Sequence, residues 1–345
     1  MTILNNQLGQ GVCVAGVGHH LPDRFEDNEE LCEKLKVDPS WILEKTGIKR
    51  RYLAGPEDTA TGFATLAAEK ALKAAAMIPD QIDLIIVCTF SGDYVFPPVS
   101  AKVQSNLAAK NAQIFDVQAN CCGFVTGLTV ASDRMKVDSE VRNALVIGVE
   151  MNSRYIDRSD VNTSIYMSDG ASAVVLTKAP KSEGILASYF FTDSSNYEAV
   201  RMRGGGSSFR LQKRPFDPAV DFMEMNGIAT WKQAITHLPK VIRKVCEKSQ
   251  ISLTDVDFLI FHQANLNMIE YVVRKLGFDM SKTYTNVQEI GNTGSASVGI
   301  ALSECVSKSL IKDGQIVVMA AVGAGFNFGA SIWRWHTPKI GVENV

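Results

Sequence analysis

Short apolar runs alternate with segments of helical composition along the chain, and two helix–turn–strand units are the clearest examples. In the first unit, residues 65–76 (TLAAEKALKAAA) are rich in alanine and predict a helix, and residues 83–87 (DLIIV) predict a short buried strand. In the second unit, residues 236–248 predict a helix and residues 257–261 (DFLIF) predict a strand. This alternation is typical of an α/β protein.

The two halves of the chain contain matching segments in the same order. The first match is between the strand starts at residues 83 and 257, which are 174 positions apart (257 − 83). The second is between the VQ pairs that end at residues 118 and 288, 170 apart (288 − 118). The third is between the strands at 144–148 and 316–320, 172 apart (316 − 144). Three matches at nearly equal spacing predict a duplicated α/β unit. The polar, glycine-rich region 180–218 is where we place the boundary, which gives halves of residues 1–180 and 181–345.

Charge and composition exclude several classes of protein. The 345 residues include 35 Lys and Arg against 37 Asp and Glu, so no overall basic charge favours a nucleic-acid partner. The longest apolar run, residues 316–322, is too short to cross a bilayer, and residues 1–20 lack a signal-peptide pattern, so we expect no membrane insertion. The seven cysteines are scattered and odd in number, which predicts free thiols and a cytoplasmic protein. Their only close pair is adjacent rather than C-x-x-C, so we expect no metal site.

The segment around Cys121 predicts a nucleophile. A strand at residues 114–117 leads through a short link to Cys121, and a helical pattern runs from Gly123 through Leu128. A cysteine at a strand-to-helix turn is close to the positive end of the helix dipole, which we expect to lower the thiol pKa. The alternative is that Cys121 and Cys122 are buried small apolar residues.

His262 and Asn292 are the candidate partners of this cysteine. His262 directly follows the predicted strand at residues 257–261, and catalytic groups gather at the carboxyl ends of strands in α/β sheets. Asn292 lies in the small-residue loop GNTGSAS, which we place after another second-half strand, at the position symmetric to the Cys121 loop; alternatively, this loop is an ordinary turn. The remaining histidines are expected to be structural or surface residues: His19 and His20 in an early loop, His237 in a helix, and His336 near the C-terminus.

Three segments resemble those of β-ketoacyl-acyl-carrier-protein synthase III, a family of the thiolase superfamily. They are FDVQANCCGF at 115–124, HQAN at 262–265 and GNTGSAS at 291–297. The segments at 14–22, 41–48 (WILEKTGI) and 323–329 (GAGFNFG) also resemble the family, so the similarity covers nearly the whole chain. The resemblance implies an α/β thiolase fold, in which two duplicated halves pack as five layers in the order αβαβα. It also implies a homodimer, while a heterodimer with a related chain stays open.

The reaction that this resemblance implies has two stages. Cys121 takes an acyl group from acyl-CoA, and a malonyl thioester, carried by coenzyme A or by the phosphopantetheine arm of a carrier protein, then loses carbon dioxide and condenses with it. By resemblance the catalytic residues are Cys121, His262 and Asn292, and the oxyanion hole consists of the N–H groups of Cys121 and Gly325. No separate cofactor is implied.

Four further residues match binding positions of the family. Trp41 matches the tryptophan that stacks on the adenine of coenzyme A, and Gly227 and Asn265 match positions that contact the pantetheine arm. Phe96 matches a residue that crosses the dimer and closes the partner's acyl pocket. For Trp41 the alternative is a partly buried structural tryptophan.

Three basic residues, Lys232, Arg274 and Lys275, match positions that dock an acidic carrier protein. Two neutral residues depart from the pattern: Asn267 replaces a basic docking residue, and Val161 replaces an arginine that helps to hold adenine. We therefore keep open a specialised relative from a natural-product or unusual fatty-acyl pathway. Two other functions also stay open, an acyltransferase that uses a non-malonyl nucleophile and a non-catalytic partner subunit of a synthase.

Overall fold

The computed structural model describes residues 11–208 and 215–338. Within these residues the strands are β1 (Gly11–His20), β2 (Phe25–Asp27), β3 (Arg50–Tyr52), β4 (Leu84–Cys88), β5 (Gln113–Val117), β6 (Asn143–Met151), β7 (Asp169–Ala179), β8 (Gly184–Thr192), β9 (Val200–Met202), β10 (Met223–Met225), β11 (Phe258–Phe261), β12 (Ile316–Gly323) and β13 (Asn327–Arg334). The α-helices are α1 (Asn28–Leu35), α2 (Pro39–Thr46), α3 (Ala60–Ala74), α4 (Val99–Leu107), α5 (Gly123–Val137), α6 (Val161–Ser164), α7 (Pro218–Asp221), α8 (Gly227–Ser249), α9 (Leu266–Leu276), α10 (Val287–Ile290) and α11 (Ser297–Ser307).

The main strands follow the same order in both halves of the chain. They pair in the order β11-β12-β13-β8-β1-β7-β6-β4-β5 in the part of the chain that the structure describes, and the two halves meet where Val12 of β1 pairs with Gly184 of β8. When the five sheet strands of the first half are numbered 1 to 5 along the chain, their order across the sheet, starting from the edge, is 3-2-4-5-1. In the second half, an isolated parallel bridge between Leu259 and Thr283 stands at the place of strand 3. The remaining strands of this half, numbered in the same way, have the order 2-4-5-1.

Helices and strands form five layers. Helix α3 covers the outer face of β1, β6 and β7, and α8 covers β8 and β13 on the opposite side of the molecule. Helices α5 and α11 lie between the two halves, since α5 contacts β4 and β6 as well as β12 and β13, and α11 contacts β1 and β7 as well as β11. All residues of β4 and β12 are buried, as expected for strands covered on both faces. The order αβαβα agrees with the expected architecture.

The predicted elements are present with shifted ends. Helix α3 begins five residues before the predicted start, where the Thr59 side chain accepts a hydrogen bond from the Gly62 N–H. Helix α8 begins nine residues early, where the Asn226 side chain accepts from the Ala229 N–H, and it ends at Gln250 in the left-handed conformation. The second half follows the first at a spacing of 174, because α5 begins at residue 123 and α11 at residue 297 (297 − 123).

The strand that we expected before Asn292 is absent from the described residues. One bridge residue, Thr283, and the short helix α10 take its place. The Gln263 side chain explains the loss of the ladder, since its Oε1 accepts from the N–H groups of Asn286 and Val287 at 3.1 and 3.3 Å. Those two N–H groups are therefore satisfied without a neighbouring strand.

Three other expectations concern position along the chain. His19 and His20 lie at the end of β1 rather than in a loop. The region 180–218 contains β8 and β9, and the division after residue 180, which falls between β7 and β8, stays a prediction. A search of residues 11–208 and 215–338 for a helix long and apolar enough to cross a membrane finds none.

Candidate active site

Cys121 lies in a single 3-10 turn, residues 120–122, between the end of β5 and the start of α5. Asn120 in this turn has a left-handed backbone, φ 49°, and its side-chain N–H donates to the carbonyl of Ala324 at 3.1 Å. A Cβ atom on Gly323 would lie 2.4 Å from the carbonyl oxygen of Ala119. The end of β12 therefore packs directly on the nucleophile turn, and only glycine fits at position 323.

The adjacent cysteines have different environments. Cys122 is fully buried, with its sulfur 4.0 Å from the Thr126 hydroxyl and so near β13 that a Cβ atom on Gly329 would lie 2.8 Å from it. Cys121 is partly exposed and lines a cavity. Cys121 is therefore the thiol that a substrate can reach, whereas Cys122 fills space.

The expected depression of the Cys121 thiol pKa is wrong. Burial is the main cause that raises the pKa of Cys121 to about 12. Glu150 and Cys122 add to this effect when they are ionised, and only a hydrogen bond from the N–H of Cys121 opposes it. The turn packs against β12, β13 and residues 294–296, so loss of hydration outweighs the stabilisation we expected from α5. The resting nucleophile is a neutral thiol that has to lose its proton during attack.

His262 continues the line of β11, where its N–H donates to the carbonyl of Ala320 at 2.9 Å. Its Nδ1 is 2.6 Å from Ser297 Oγ, and that oxygen also faces the Gln263 N–H at 3.3 Å. We assign the Ser297 hydroxyl as the donor to Nδ1, an arrangement in which its oxygen still accepts from the Gln263 N–H. Nε2 then carries the ring proton. Burial lowers the pKa of His262 to about 4, so the ring is neutral at physiological pH.

Asn292 is fixed through both its backbone and its side chain. Its N–H donates to the carbonyl of Tyr166 at 2.8 Å, and its carbonyl accepts from the Ser168 N–H at 2.9 Å. Its Oδ1 accepts from the Gly294 N–H at 2.9 Å, which assigns the amide orientation. The amide nitrogen Nδ2 is therefore the end that remains for a ligand.

These three side chains line one inner chamber of about 110 Å³. Ala324 and Phe326 line it as well, on either side of Gly325. Gly325 has φ 125°, a conformation that favours glycine, and the backbones of Phe326 and Asp193 exchange two hydrogen bonds of 2.9 and 3.0 Å beside it. The structure thus brings Cys121, His262 and Asn292 together, with Gly325 next to the chamber wall.

An outer cavity of about 1220 Å³ adjoins the inner chamber. The two share the lining residues Tyr166, Met225, Gly227, Trp231 and Asn265. Gly227 is the first residue of α8, and Asn265 caps α9 by accepting from the Met268 N–H at 3.3 Å. From this shared lining we infer a route from the surface to the nucleophile.

Trp41 lies on α2 at the outer end of this route, with 41% of its surface exposed. Val161, from α6, lines the same cavity. Asn267 does so too, and its side-chain N–H groups donate to the carbonyls of Glu44 and Lys45 at 2.8 and 3.1 Å, at the end of α2. The Asn267 amide therefore attaches the helix that carries Trp41 to α9.

The candidate docking residues lie on the neighbouring surface. Lys232 of α8 lines the outer cavity, and Arg274 and Lys275 of α9 line an adjacent groove. Arg274 forms an exposed ion pair with Glu270 at 3.0 Å. Phe96 does not line the chamber; it is 83% exposed, in an apolar stretch with Tyr94 and Val95.

Sequence reasoning did not assign two residues that the geometry makes important. Ser297 is the last residue of the segment GNTGSAS, and the spacing of residues along the chain did not predict its contact with His262. Tyr166 lines both cavities, and no motif pointed to it. Among the residues described, no group of three or more His, Cys, Asp or Glu side chains is arranged to hold a metal ion.

Comparisons with known proteins identify the family of this chain. Family models described as 3-oxoacyl-[acyl-carrier-protein] synthase III and its C-terminal part match residues 115–194 and 246–335. The chain is 39% identical to a β-ketoacyl-[acyl-carrier-protein] synthase III of Bordetella petrii over 326 residues, covering 93% of this chain and 97% of the relative.

Solved structures show the same similarity. The crystal structure of 3-oxoacyl-[acyl-carrier-protein] synthase III from Aquifex aeolicus superposes with a TM-score of 0.87 at 33% identity, over 94% of this chain and all of the other. A priming β-ketosynthase from a polyketide biosynthetic pathway superposes with a TM-score of 0.89 at 29% identity, over 95% and 97% of the two chains. The expected α/β thiolase fold is confirmed, and the chain belongs to the β-ketoacyl-[acyl-carrier-protein] synthase III family of condensing enzymes.

Proposed function

We propose that this chain transfers an acyl group from acyl-CoA to Cys121 and condenses it, with loss of carbon dioxide, with a malonyl thioester on a carrier protein or coenzyme A. The observation that carries the proposal is the single chamber lined by Cys121, His262 and Asn292, which shares five lining residues with the outer cavity. A thiol, a neutral imidazole and an amide together suit thioester chemistry that passes through anions.

In the loading stage the Cys121 sulfur attacks the acyl carbonyl, the bond to the coenzyme A sulfur breaks, and the thiol proton leaves with the released coenzyme A. The tetrahedral oxyanion requires preorganised donors, which we assign to the backbone N–H groups of Cys121 and Gly325. Loss of one such donor costs about 3–4 kcal/mol in acyl transfer.

In the condensation stage the malonyl carboxylate leaves as carbon dioxide, and negative charge builds on the thioester oxygen. We assign the stabilising donors to His262 Nε2–H and Asn292 Nδ2–H, because the other polar atom of each side chain is already occupied by Ser297 and Gly294. The carbanion attacks the acyl carbonyl, and the Cys121 thiolate leaves and takes a proton from solvent. Since an amide cannot act as a base, Asn292 favours charge stabilisation over proton transfer.

Binding residues follow the route from the surface. We assign Trp41 to the adenine of coenzyme A, and Gly227 and Asn265 to the pantetheine arm between the outer cavity and the chamber. Exposed Phe96 suits a residue that closes the pocket of a second copy, which supports a homodimer. No separate cofactor is needed for these steps.

Docking of an acidic carrier protein is assigned to the surface formed by Lys232, Arg274 and Lys275. The amide of Asn267 contributes no charge there, so a carrier that differs from the family's usual one fits this surface. Free thiols at all described cysteines are consistent with a cytoplasmic enzyme.

The test is intact-protein mass spectrometry after mixing with a panel of acyl-CoAs, followed by malonyl thioester. Wild type and Cys122→Ala are expected to gain the acyl mass, and Cys121→Ala is not. Malonyl thioester should then discharge the adduct with release of carbon dioxide.

Other outcomes point to the alternatives. An adduct that malonyl thioester leaves intact would indicate an acyltransferase with a different nucleophile. If no acyl-CoA loads Cys121, the donor is carrier-bound or the chain is a partner subunit, and the proposal for free acyl-CoA fails.

A further inference from the structure

Glu150, a fully buried carboxyl on β6, has no part in the steps above. Its Oε2 lies 2.5 Å from Ser91 Oγ and 3.3 Å from Thr89 Oγ1, and the Phe90 N–H is directed at both oxygens from 3.4 Å. In the described residues, hydroxyl and N–H groups rather than a basic side chain therefore surround the carboxyl. These donors favour the ionised form of the carboxyl, but complete burial without a neighbouring cation favours the neutral form and has the larger effect.

The stem of Glu150 supports the turn that carries Asn292. A Cβ atom on Gly294 would lie 2.7 Å from Glu150 Cγ, so the backbone of this turn rests directly on the glutamate side chain. The N–H of the same Gly294 holds Asn292 Oδ1 at 2.9 Å. The contact thus links Glu150 through one residue to the amide that faces the chamber.

The charge of Glu150 also acts on the nucleophile. A negative charge at this position raises the pKa of three neighbours, Cys88 of β4, Tyr155 after β6, and Cys121, although burial is the larger cause for each. Of the three, Cys121 lines the chamber. On the adjoining strand β7 the nearest acidic group is Asp169, whose oxygens accept from Ser153 and Ala54. Burial raises the pKa of Glu150 itself to about 8.

We propose that Glu150 is a positioning residue for the condensation: its neutral carboxyl supports the Asn292 turn and keeps a permanent negative charge away from Cys121 while anionic intermediates form. The thiolate, the tetrahedral oxyanion and the enolate all place negative charge in the chamber. An ionised Glu150 in a low-dielectric interior would oppose each of them. The consequence for turnover rests on the proposed function, whereas the effect on the thiol does not.

The first test is alkylation of Cys121 by iodoacetamide between pH 6 and 10, which needs no acyl donor. Above about pH 8, where wild-type Glu150 ionises, Glu150→Gln is expected to be alkylated about threefold to tenfold faster, since a neutral amide no longer opposes the thiolate. Asp169→Asn is the matched control, a buried carboxyl on the next strand, and should follow the wild-type profile. A folded Glu150→Gln protein with the wild-type profile would overturn the proposal.

The second test is the pH dependence of kcat, with Ser91→Ala as an independent variant. The Ser91 hydroxyl favours ionised Glu150, so its removal should move the alkaline decline of kcat to higher pH, and Glu150→Gln should abolish that decline. If Glu150→Gln does not fold, Ser91→Ala decides, and an unmoved decline contradicts the proposal. A shifted alkylation profile in a protein that loads no acyl group would support the link between Glu150 and Cys121 and reject only the proposed function.

Discussion

Ser297→Ala tests whether the hydroxyl of Ser297 sets the tautomer of His262. Ser297 is 1% exposed, and its Oγ lies between His262 Nδ1 at 2.6 Å and the Gln263 N–H at 3.3 Å. Alanine removes both contacts and leaves a small void at the first position of α11. No water enters easily at so buried a site, so Nδ1 loses its donor and the bias toward Nε2–H is lost.

The size of the effect follows from these two contacts. A hydrogen bond to a neutral buried group contributes about 1 kcal/mol, and a loss of that size in the donor tautomer slows decarboxylation about fivefold. The unpaired Gln263 N–H lowers the free energy of unfolding by about 1–3 kcal/mol. Loading of Cys121 should change less, because the donors assigned to that stage are backbone N–H groups.

Ser303→Ala is the matched control. Ser303 lies on the same helix, is 5% exposed, and its Oγ is 2.9 Å from His19 Nδ1, outside the chamber. Both variants should lose stability in urea unfolding, but only Ser297→Ala should slow the release of carbon dioxide from malonyl thioester by acyl-loaded enzyme. An unchanged decarboxylation rate in Ser297→Ala, or an equal loss in the control, would refute the tautomer argument.

Four shorter predictions follow from the same geometry. Asn292→Asp keeps the oxygen that accepts from the turn but loses the donor, so decarboxylation should fall about hundredfold to thousandfold while mass spectrometry still detects acyl loading. Trp41→Ala should raise the KM for acyl-CoA about tenfold and leave kcat nearly unchanged in steady-state assays, because stacking on a base contributes about 1–3 kcal/mol. Burial lowers the pKa of His262 from 6.5 to about 4, so the unfolded chain binds a proton that the folded chain does not as the pH falls through this window. The free energy of unfolding should thus drop by about 2 kcal/mol between pH 7.5 and 5, measured in urea, and this part of the drop should disappear in His262→Asn. Cys122→Ala should lower the melting temperature by a few degrees, about 1 kcal/mol, and still be alkylated at Cys121.

Periodicity and spacing predicted much of the fold. The apolar runs at residues 83–87 and 257–261 became strands within one residue of their predicted positions, and all residues of both strands are buried. The start of α8 was missed by nine residues because its cap is a side-chain hydrogen bond of Asn226, which apolar periodicity does not register. The missing strand before Asn292 depends on the Gln263 side chain, a contact between residues more than 20 positions apart.

The candidate site was predictable in its residues but not in its electrostatics. The chamber unites Cys121, His262 and Asn292 as the motifs indicated. The predicted direction of the Cys121 pKa shift was wrong. The prediction considered the strand-to-helix turn and α5 but not the segments that bury the turn. Ser297 and Glu150 were not assigned, since each acts through a contact that only the packed structure brings about.

The hydrogen bonds of Asn267 to the end of α2 determine when this site can be assembled during synthesis of the chain. The amide that holds the last turn of the helix carrying Trp41 leaves the ribosome 222 and 223 residues after the carbonyls that it contacts. The chamber further requires residues 322–326, almost at the end of the described chain. Domains generally fold as units once their residues are available, so a nascent chain exposes an N-terminal half that carries Cys121 without the groups that would activate it. Translation therefore supplies the nucleophile well before the groups that surround it, and a chain interrupted before residue 262 is expected to have an inert cysteine.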